Sequence, residues 1–289
     1  MRKTYFCSAI INQYNGDMGN KQWRETIKFA FWTITVILVC FLLSKVIVRQ
    51  HTQYYLPLTG EGRDSLMTVA VPRGLCDTLI GYEAFAVHFN GCRGIANCAA
   101  YELLPDELLG QAERAGEFMQ DVAVEGCPAP ADYAGSGMDR GHLVPAADLK
   151  WNAMAMRQSF FLTNVAPMYK GLNEGNWAKL EEKVREWAAR DSALLVFTGP
   201  VVGDRDTTLA SGHVKVPGAY YKIIMAPCVR PRRVIAFIYP NGSSAAPLRQ
   251  HAVSVDEVER RTGLDFFPLL LPDEQRRLES KVNLAVWIN

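Results

Sequence analysis

Met138-Asp139-Arg140-Gly141-His142-Leu143-Val144-Pro145 is the stretch on which the reading of this chain turns. It sets an acid, a guanidinium, a glycine and an imidazole side by side, then enters an apolar segment closed by proline. Taken alone, the box from Asp139 to His142 reads as a solvated ion pair beside an exposed histidine. The residues downstream of Pro145 change that. Thr163-Asn164-Val165-Ala166-Pro167 comes next, then Leu172-Asn173-Glu174-Gly175-Asn176-Trp177, then Leu180-Glu181. Trp177, Leu180, Val184 and Trp187 recur at spacings of 3, 4 and 3, which predicts one face of an amphipathic helix running from near Asn173 to near Arg190.

Outward from this helix, short runs rich in β-branched and aromatic residues are bounded by Gly, Pro and Asn and read as strands. They are 67–71, 83–89, 159–163, 194–198, 220–225 and 234–239. A second helix is expected over 255–262, capped by Ser254 and stopped by Gly263. The pattern is α+β, with strands outnumbering helices. No internal repeat or low-complexity tract interrupts it.

The three motifs, in this order and spacing, closely resemble the DNA/RNA non-specific endonuclease family, the sugar-nonspecific ββα-metal nucleases that include mitochondrial endonuclease G. The resemblance runs from about Tyr82 to Phe267. It is reinforced by Ala131-Asp132-Tyr133, Thr198-Gly199-Pro200, Val216-Pro217, Tyr220-Tyr221-Lys222 and Thr262-Gly263-Leu264-Asp265-Phe266-Phe267. It implies a central antiparallel sheet flanked by helices and an endonuclease acting on DNA and RNA. Two positions depart from the family pattern. Thr163 replaces its serine and Met168 its glutamine, which puts substrate contacts there in doubt.

Phosphodiester hydrolysis needs an activated water, a cation to stabilise charge on the phosphate, and help for the leaving oxygen. A histidine, with a pKa near 6.5, is neutral at pH 7 and can accept a proton, so His142 is the expected general base. Mg²⁺ keeps several waters and takes few protein ligands, so one amide oxygen can suffice. By resemblance that ligand is Asn173, whose bland alternative is a helix N-cap. Mn²⁺ is the expected substitute ion. Glu181 is implied to reach the metal's water shell, Asp139 to orient the box, and Arg140 to meet the phosphate or the same network. Asn164 matches the family's second active-site asparagine, which positions base or substrate, and Arg114 matches a phosphate-binding arginine, against a surface ion pair. Products would carry 5′-phosphate and 3′-hydroxyl ends. The rival reading is a catalytically weak nucleic-acid-binding or scaffold protein on a nuclease fold.

The N-terminal part has a different character. From Phe29 to Ser44 there is no charge, and the apolar run extends to Val48 with only Lys45 inside it. Twenty residues at about 1.5 Å each make roughly 30 Å of helix, the thickness of a bilayer's hydrocarbon core. Five basic residues precede the run, so the positive-inside rule places 1–28 in the cytoplasm. The expected organisation is a cytoplasmic segment (1–28), a transmembrane anchor (29–48), a polar linker (49–65) and a nuclease domain (66–289). That domain would be periplasmic or extracellular, with a mitochondrial inner-membrane anchor as the alternative. Residues 1–50 hold seven Lys/Arg against two acids, and the remainder 24 against 28, a net −4. A nucleic-acid binder normally shows a basic footprint, so any basic groove must be local, drawn from Arg114, Arg140, Lys150, Arg157, Lys170 and Lys179. Five of the seven cysteines (Cys76, Cys92, Cys98, Cys127, Cys228) lie beyond the anchor without zinc-site spacing. In an oxidising compartment one or two disulfides are expected, Cys92 and Cys98 being the nearest pair in sequence. The oligomeric state is open, a homodimer included.

Overall fold

A computed structural model describes Glu25, residues 28–37, Val39, residues 60–204 and residues 206–288. The chain divides into two units, 1–54 and 55–289. In the first, residues 28–37 and Val39 are helical, with Phe29, Trp32 and Ile37 exposed. Leu38 and residues 40–48 of the expected anchor lie outside the described residues. No helix among the described residues is long and apolar enough to cross a membrane.

The second unit is a mixed α/β fold built on a seven-stranded antiparallel sheet. Its strands are β2 (Thr78–Gly81), β3 (Phe85–Asn90), β4 (Ile95–Leu103), β7 (Leu194–Val201), β8 (Ala219–Ala226), β9 (Arg233–Pro240) and β10 (Ala252–Val253). They lie in the order β10-β9-β8-β7-β4-β3-β2. Two short ribbons flank the sheet. One joins β1 (Val69–Ala70) to β11 (Asp265–Phe266); the other joins β5 (Asp139–His142) to β6 (Val165–Met168).

Both faces of the sheet are covered, so its strands read as continuous apolar runs whose alternate residues part to opposite sides. In β8, Tyr220 and Ile224 join the core on one face while Tyr221, Ile223 and Met225 join the other. The first face is packed by α3 (Ala178–Asp191), through Leu180, Val184, Trp187 and Ala188. The second is packed by α4 (Val255–Thr262) and α5 (Pro272–Glu279), through Val255, Val258 and Leu278. Lys222 shares the α3 face with Tyr220 and Ile224, a cation set into that apolar layer.

Several expectations are corrected. Of the linker expected over 49–65, residues 49–59 lie outside the described residues and 60–65 belong to a helix, α1 (Gly60–Met67); of the strand expected over 67–71 only β1 forms. The run 159–163 is not a strand. Phe161 makes a single bridge to Met119, residues Leu162–Asn164 form a 3-10 turn, and pairing begins at Val165, opposite His142. The helix expected to run unbroken from Asn173 is interrupted: Leu172–Trp177 form a π turn in which Gly175 leaves helical dihedrals (φ −101°, ψ −112°), and α3 proper starts at Ala178. A further helix, α2, spans Ala153–Gln158. Cys76, Cys92, Cys98 and Cys127 are free thiols. Cys98 is fully buried in the sheet and Cys92 exposed, so the pair nearest in sequence is not a disulfide.

The second expected helix forms as α4. Ser254 Oγ accepts from the Glu257 amide at 3.2 Å, and Gly263 closes the helix at φ +76°. Ser254→Ala is expected to lower stability by about 1 kcal/mol, the usual worth of an N-cap, readable as a shift in urea midpoint at unchanged m-value.

Candidate active site

The site is a ββα unit: β5, β6 and α3. β5 and β6 pair antiparallel, with Asp139 opposite Met168 and His142 opposite Val165. Gly141 is where this hairpin is tightest. A Cβ there would stand 2.4 Å from Met168 Sδ, so a bare backbone lets Met168 cover the strand. Met168 is fully buried, so the side chain that departs from the family's glutamine seals the hairpin and does not face substrate. Tyr220 Oη donates to Pro167 O at 2.8 Å and ties the hairpin to the main sheet.

His142 stands between two phenyl rings. Its centroid lies 5.1 Å from Phe118 and 4.8 Å from Phe160, the latter edge-on. The ring makes none of the described hydrogen bonds, and its Nε2 is buried without a partner. Burial, with the Arg114 charge adding to it, pulls its pKa down to about 3, so at neutral pH the ring is uncharged with one free lone pair. The same rings hold two guanidinium groups: Arg114 lies 5.1 Å from the Phe160 centroid and Arg140 5.4 Å from that of Phe118. Neither arginine enters any of the described ion pairs, so the surface-pair reading of Arg114 does not hold among the described residues. Of the other expected basic residues, Lys170 pairs with Glu174 at 3.5 Å.

Asp139 opens β5, three residues before His142. Its Oδ2 accepts from Asn173 Nδ2 at 2.9 Å. A carboxylate only accepts, so the amide end of Asn173 must face it and Oδ1 is the free end. That oxygen accepts none of the described hydrogen bonds, and Asn173 caps no helix, since it sits inside the π turn. A carboxamide oxygen held at its far end by a carboxylate is oriented in the way that ligands of a hard cation are. A single carboxamide oxygen as direct donor, with the Glu181 carboxylate for the water shell, is oxygen-only chemistry poor in protein ligands, which fits an Mg²⁺ or Mn²⁺ that keeps most of its waters.

Glu181 opens α3 and faces a buried charge cluster. Burial pushes its carboxyl up, while Lys222, Arg185 and Arg114 oppose and Asp148 adds to the rise. Asp148, fully buried, accepts from Tyr101 Oη at 2.8 Å and from Arg185 Nη1 at 2.9 Å. Lys222 is buried with its Nζ 4.6 Å from the Trp177 ring centroid and without a hydrogen-bond partner. Burial lowers its pKa, and Glu181 and Asp148 resist the fall. Asp148, Arg185 and Lys222 are absent from the residues expected from sequence. Two of them left signals: Arg185 stands four residues after Glu181 on one helix face, and Lys222 breaks an otherwise apolar strand.

Asn164 is fully buried and spends its whole carboxamide on backbone. Oδ1 accepts from Val144 N at 3.0 Å; Nδ2 donates to Val144 O at 3.0 Å and Ser159 O at 2.9 Å. It clamps the segment two residues past His142, and its burial removes the option of touching substrate.

The chain is similar to known nucleases in sequence and in fold. Residues 63–273, well over half of the chain, match the family described as DNA/RNA non-specific endonuclease. The chain is 34% identical to a nuclease of Nostoc sp. over 215 residues, covering 69% of this chain and 76% of that protein. It is 32% identical to human mitochondrial endonuclease G over 186 residues, covering 59% of this chain and 63% of that protein. A chain from the crystal structure of an EndoG/EndoGI complex superposes with a TM-score of 0.65 at 24% identity, covering 68% of this chain and 89% of that one, a likeness of fold. The matched span holds the box, the clamp, the π turn and α3, and the chain belongs to the DNA/RNA non-specific endonuclease family.

Proposed function

We propose that this chain is a membrane-anchored, Mg²⁺-dependent endonuclease that hydrolyses phosphodiester bonds in DNA and RNA. The observation that carries the reading is an uncharged, unbonded imidazole flanked by two guanidinium groups outside the described ion pairs, on the same strand whose first residue aims a carboxamide oxygen. Arg114 and Arg140 hold the substrate phosphate beside the ring. His142 takes a proton from the attacking water at its free nitrogen, in line with the scissile P–O3′ bond, so that products end in 5′-phosphate and 3′-hydroxyl. Asp139 fixes Asn173 so that Oδ1 would hold the cation, and Glu181 would accept hydrogen bonds from the water around it. A divalent cation bound there supplies positive charge to the phosphate and an acidic water for the leaving oxygen.

The decisive assay is plasmid and RNA cleavage by the full chain with EDTA, with Mg²⁺ restored, and with Asn173→Ala. EDTA should abolish cutting, Mg²⁺ should restore it, and the variant should need at least about tenfold more Mg²⁺. Cleavage indifferent to chelator would remove the metal role. Nucleic acid bound but never cut by the wild-type chain would favour the scaffold alternative.

A pH profile tests Arg114 separately. Its charge helps hold the His142 pKa low, so in Arg114→Gln that pKa rises. The acid limb of kcat/KM therefore moves to higher pH, and the ratio of rates at pH 5 and pH 7 falls relative to wild type. A limb that stays put or moves to lower pH contradicts the assigned contact.

For location we infer an anchor over 29–48 with residues 66–289 outside the cytoplasm, supported by the uncharged run and the basic residues before it. Protease added to intact cells should digest the nuclease domain and spare an epitope placed before Lys28. Protection of the domain would reverse the topology.

A further inference from the structure

On the sheet face away from His142, three carboxylates from two helices meet. Asp256 and Glu259 stand three residues apart on one face of α4, and Glu279 is the last residue of α5. Each brings one oxygen, and the three oxygens lie within 4.8 Å of one another. Exposed acids often cluster, but Glu279 is only 5% exposed, and its Oε1 is buried with no hydrogen-bond partner. It also ends a helix, where the helix's own carbonyls already gather negative charge.

The basic residues of these helices are engaged elsewhere. Arg260 and Arg261 pair with Glu257, Arg276 with Asp273, and Arg277 with Glu274. The charges that act on Glu259 and Glu279 are acidic: Asp256 and Asp265 on both, and Glu259 on Glu279. Phe266 N donates to Glu259 Oε1 at 2.8 Å, and Gln275 hydrogen-bonds the Glu279 side chain. Glu279 Oε1 still has no hydrogen-bond partner, and a buried carboxylate oxygen left so is met by a proton or a cation.

We propose that Asp256, Glu259 and Glu279 form a Ca²⁺ site, separate from the nucleolytic centre, that ties α4 to α5. The donors are all carboxylate oxygens, which suits a hard cation and gives no nitrogen or sulfur for zinc or copper. Ligand count then selects among hard ions: Mg²⁺ keeps several waters and takes one or two carboxylates, whereas Ca²⁺ takes six to eight oxygens in a flexible shell, so three carboxylate oxygens within 4.8 Å of one another suit Ca²⁺. Asp256 is exposed, so water completes the shell on that side. With three carboxylates and an open edge, the dissociation constant should be on the order of 10⁻⁴ to 10⁻³ M.

The test is ⁴⁵Ca²⁺ equilibrium dialysis and thermal melting of the EDTA-stripped full chain, in excess Mg²⁺ so that the nucleolytic centre is filled. One Ca²⁺ per chain should bind and raise Tm. Glu279→Gln and Asp256→Asn should each weaken binding by at least about tenfold and abolish the Tm shift, while Asn173→Ala binds Ca²⁺ as the wild type does. Asp256 is exposed, so its variant folds even where Glu279→Gln does not. The proposal is overturned by Ca²⁺ uptake that survives Asp256→Asn but is lost in Asn173→Ala. It is equally overturned by a wild-type chain that takes up no Ca²⁺ while Glu279→Gln melts higher, which would make the cluster a set of shared protons.

Discussion

His142→Ala is expected to lower kcat by about 10²–10⁴-fold, the range that a positioned proton acceptor contributes, with substrate binding largely kept by Arg114 and Arg140. The size of the loss comes from the ring's surroundings. Among the described residues it bonds to no carboxylate, two phenyl rings hold it, and burial with a nearby guanidinium keeps it uncharged, so its one chemical property is a free lone pair. Added imidazole should restore part of the rate to His142→Ala, as it would not for a residue that only shapes the pocket. Stability offers a second readout with a fixed sign. The folded pKa of about 3 lies below the unfolded value near 6.5. As pH falls from about 6.5 toward 3, the unfolded chain takes up a proton that the folded chain refuses, and stability drops. The alanine variant lacks this contribution, so its urea midpoint should decline less over that interval. Full activity in the variant would end the assignment of His142 as base.

The parts of the fold legible from sequence were those in which local pattern and burial coincide. β7, β8 and β9 are dense in Val, Ile, Phe and Tyr because both faces of the central sheet are covered. α4 carried its own start and stop in Ser254 and Gly263. β4, the longest strand and the one between β3 and β7, left no such pattern. Its sequence, Ile95-Ala-Asn-Cys-Ala-Ala-Tyr-Glu-Leu103, is made largely of small residues with weak strand preference, and tertiary pairing decides its state. The misplaced strand at 159–163 has the opposite cause. Phe160, Phe161 and Leu162 are apolar because they support His142 and the core from a turn, and an apolar run cannot by itself distinguish those settings.

The box and the helix motif brought His142, Arg140, Asp139, Asn173, Glu181 and Arg114 into view as one group. Spacing alone gave a wrong path from Asn173 to Glu181, because it assumed unbroken helix where the chain makes a π turn around Gly175. It also left Asn164 between two roles that only burial separates. What stayed hidden was the set of charges behind Glu181. Asp148 looks like any acid in a polar turn, and nothing in one dimension says that Tyr101, 47 residues earlier, donates to it. Such long-range polar pairs leave no periodic trace.

Those hidden charges carry the second large effect. Asp148→Ala is expected to destabilise the nuclease unit by about 3–5 kcal/mol, since it strands a buried tyrosine hydroxyl and an arginine whose partner lies fully inside. At roughly 2–4 °C per kcal/mol for a unit of this size, Tm should fall by on the order of 10 °C. Asp148→Asn keeps an oxygen to accept from Arg185 and turns its NH2 to the Tyr101 hydroxyl, which can accept, while removing the charge, so it should fall less. The charge has its own consequence. Asp148 helps hold the Glu181 carboxyl up, whereas Lys222 and Arg185 draw it down. In Asp148→Asn the opposing cations act unchecked, Glu181 ionises at lower pH, and Mg²⁺-dependent cleavage should extend further into acid. Lys222→Met removes the counterweight and should push Glu181 the other way, narrowing activity toward alkaline pH. Two variants of fully buried residues that move one profile in opposite directions would mark a charge cluster set around Glu181. A common loss of rate at unchanged pH dependence would reduce Asp148 and Lys222 to scaffolding.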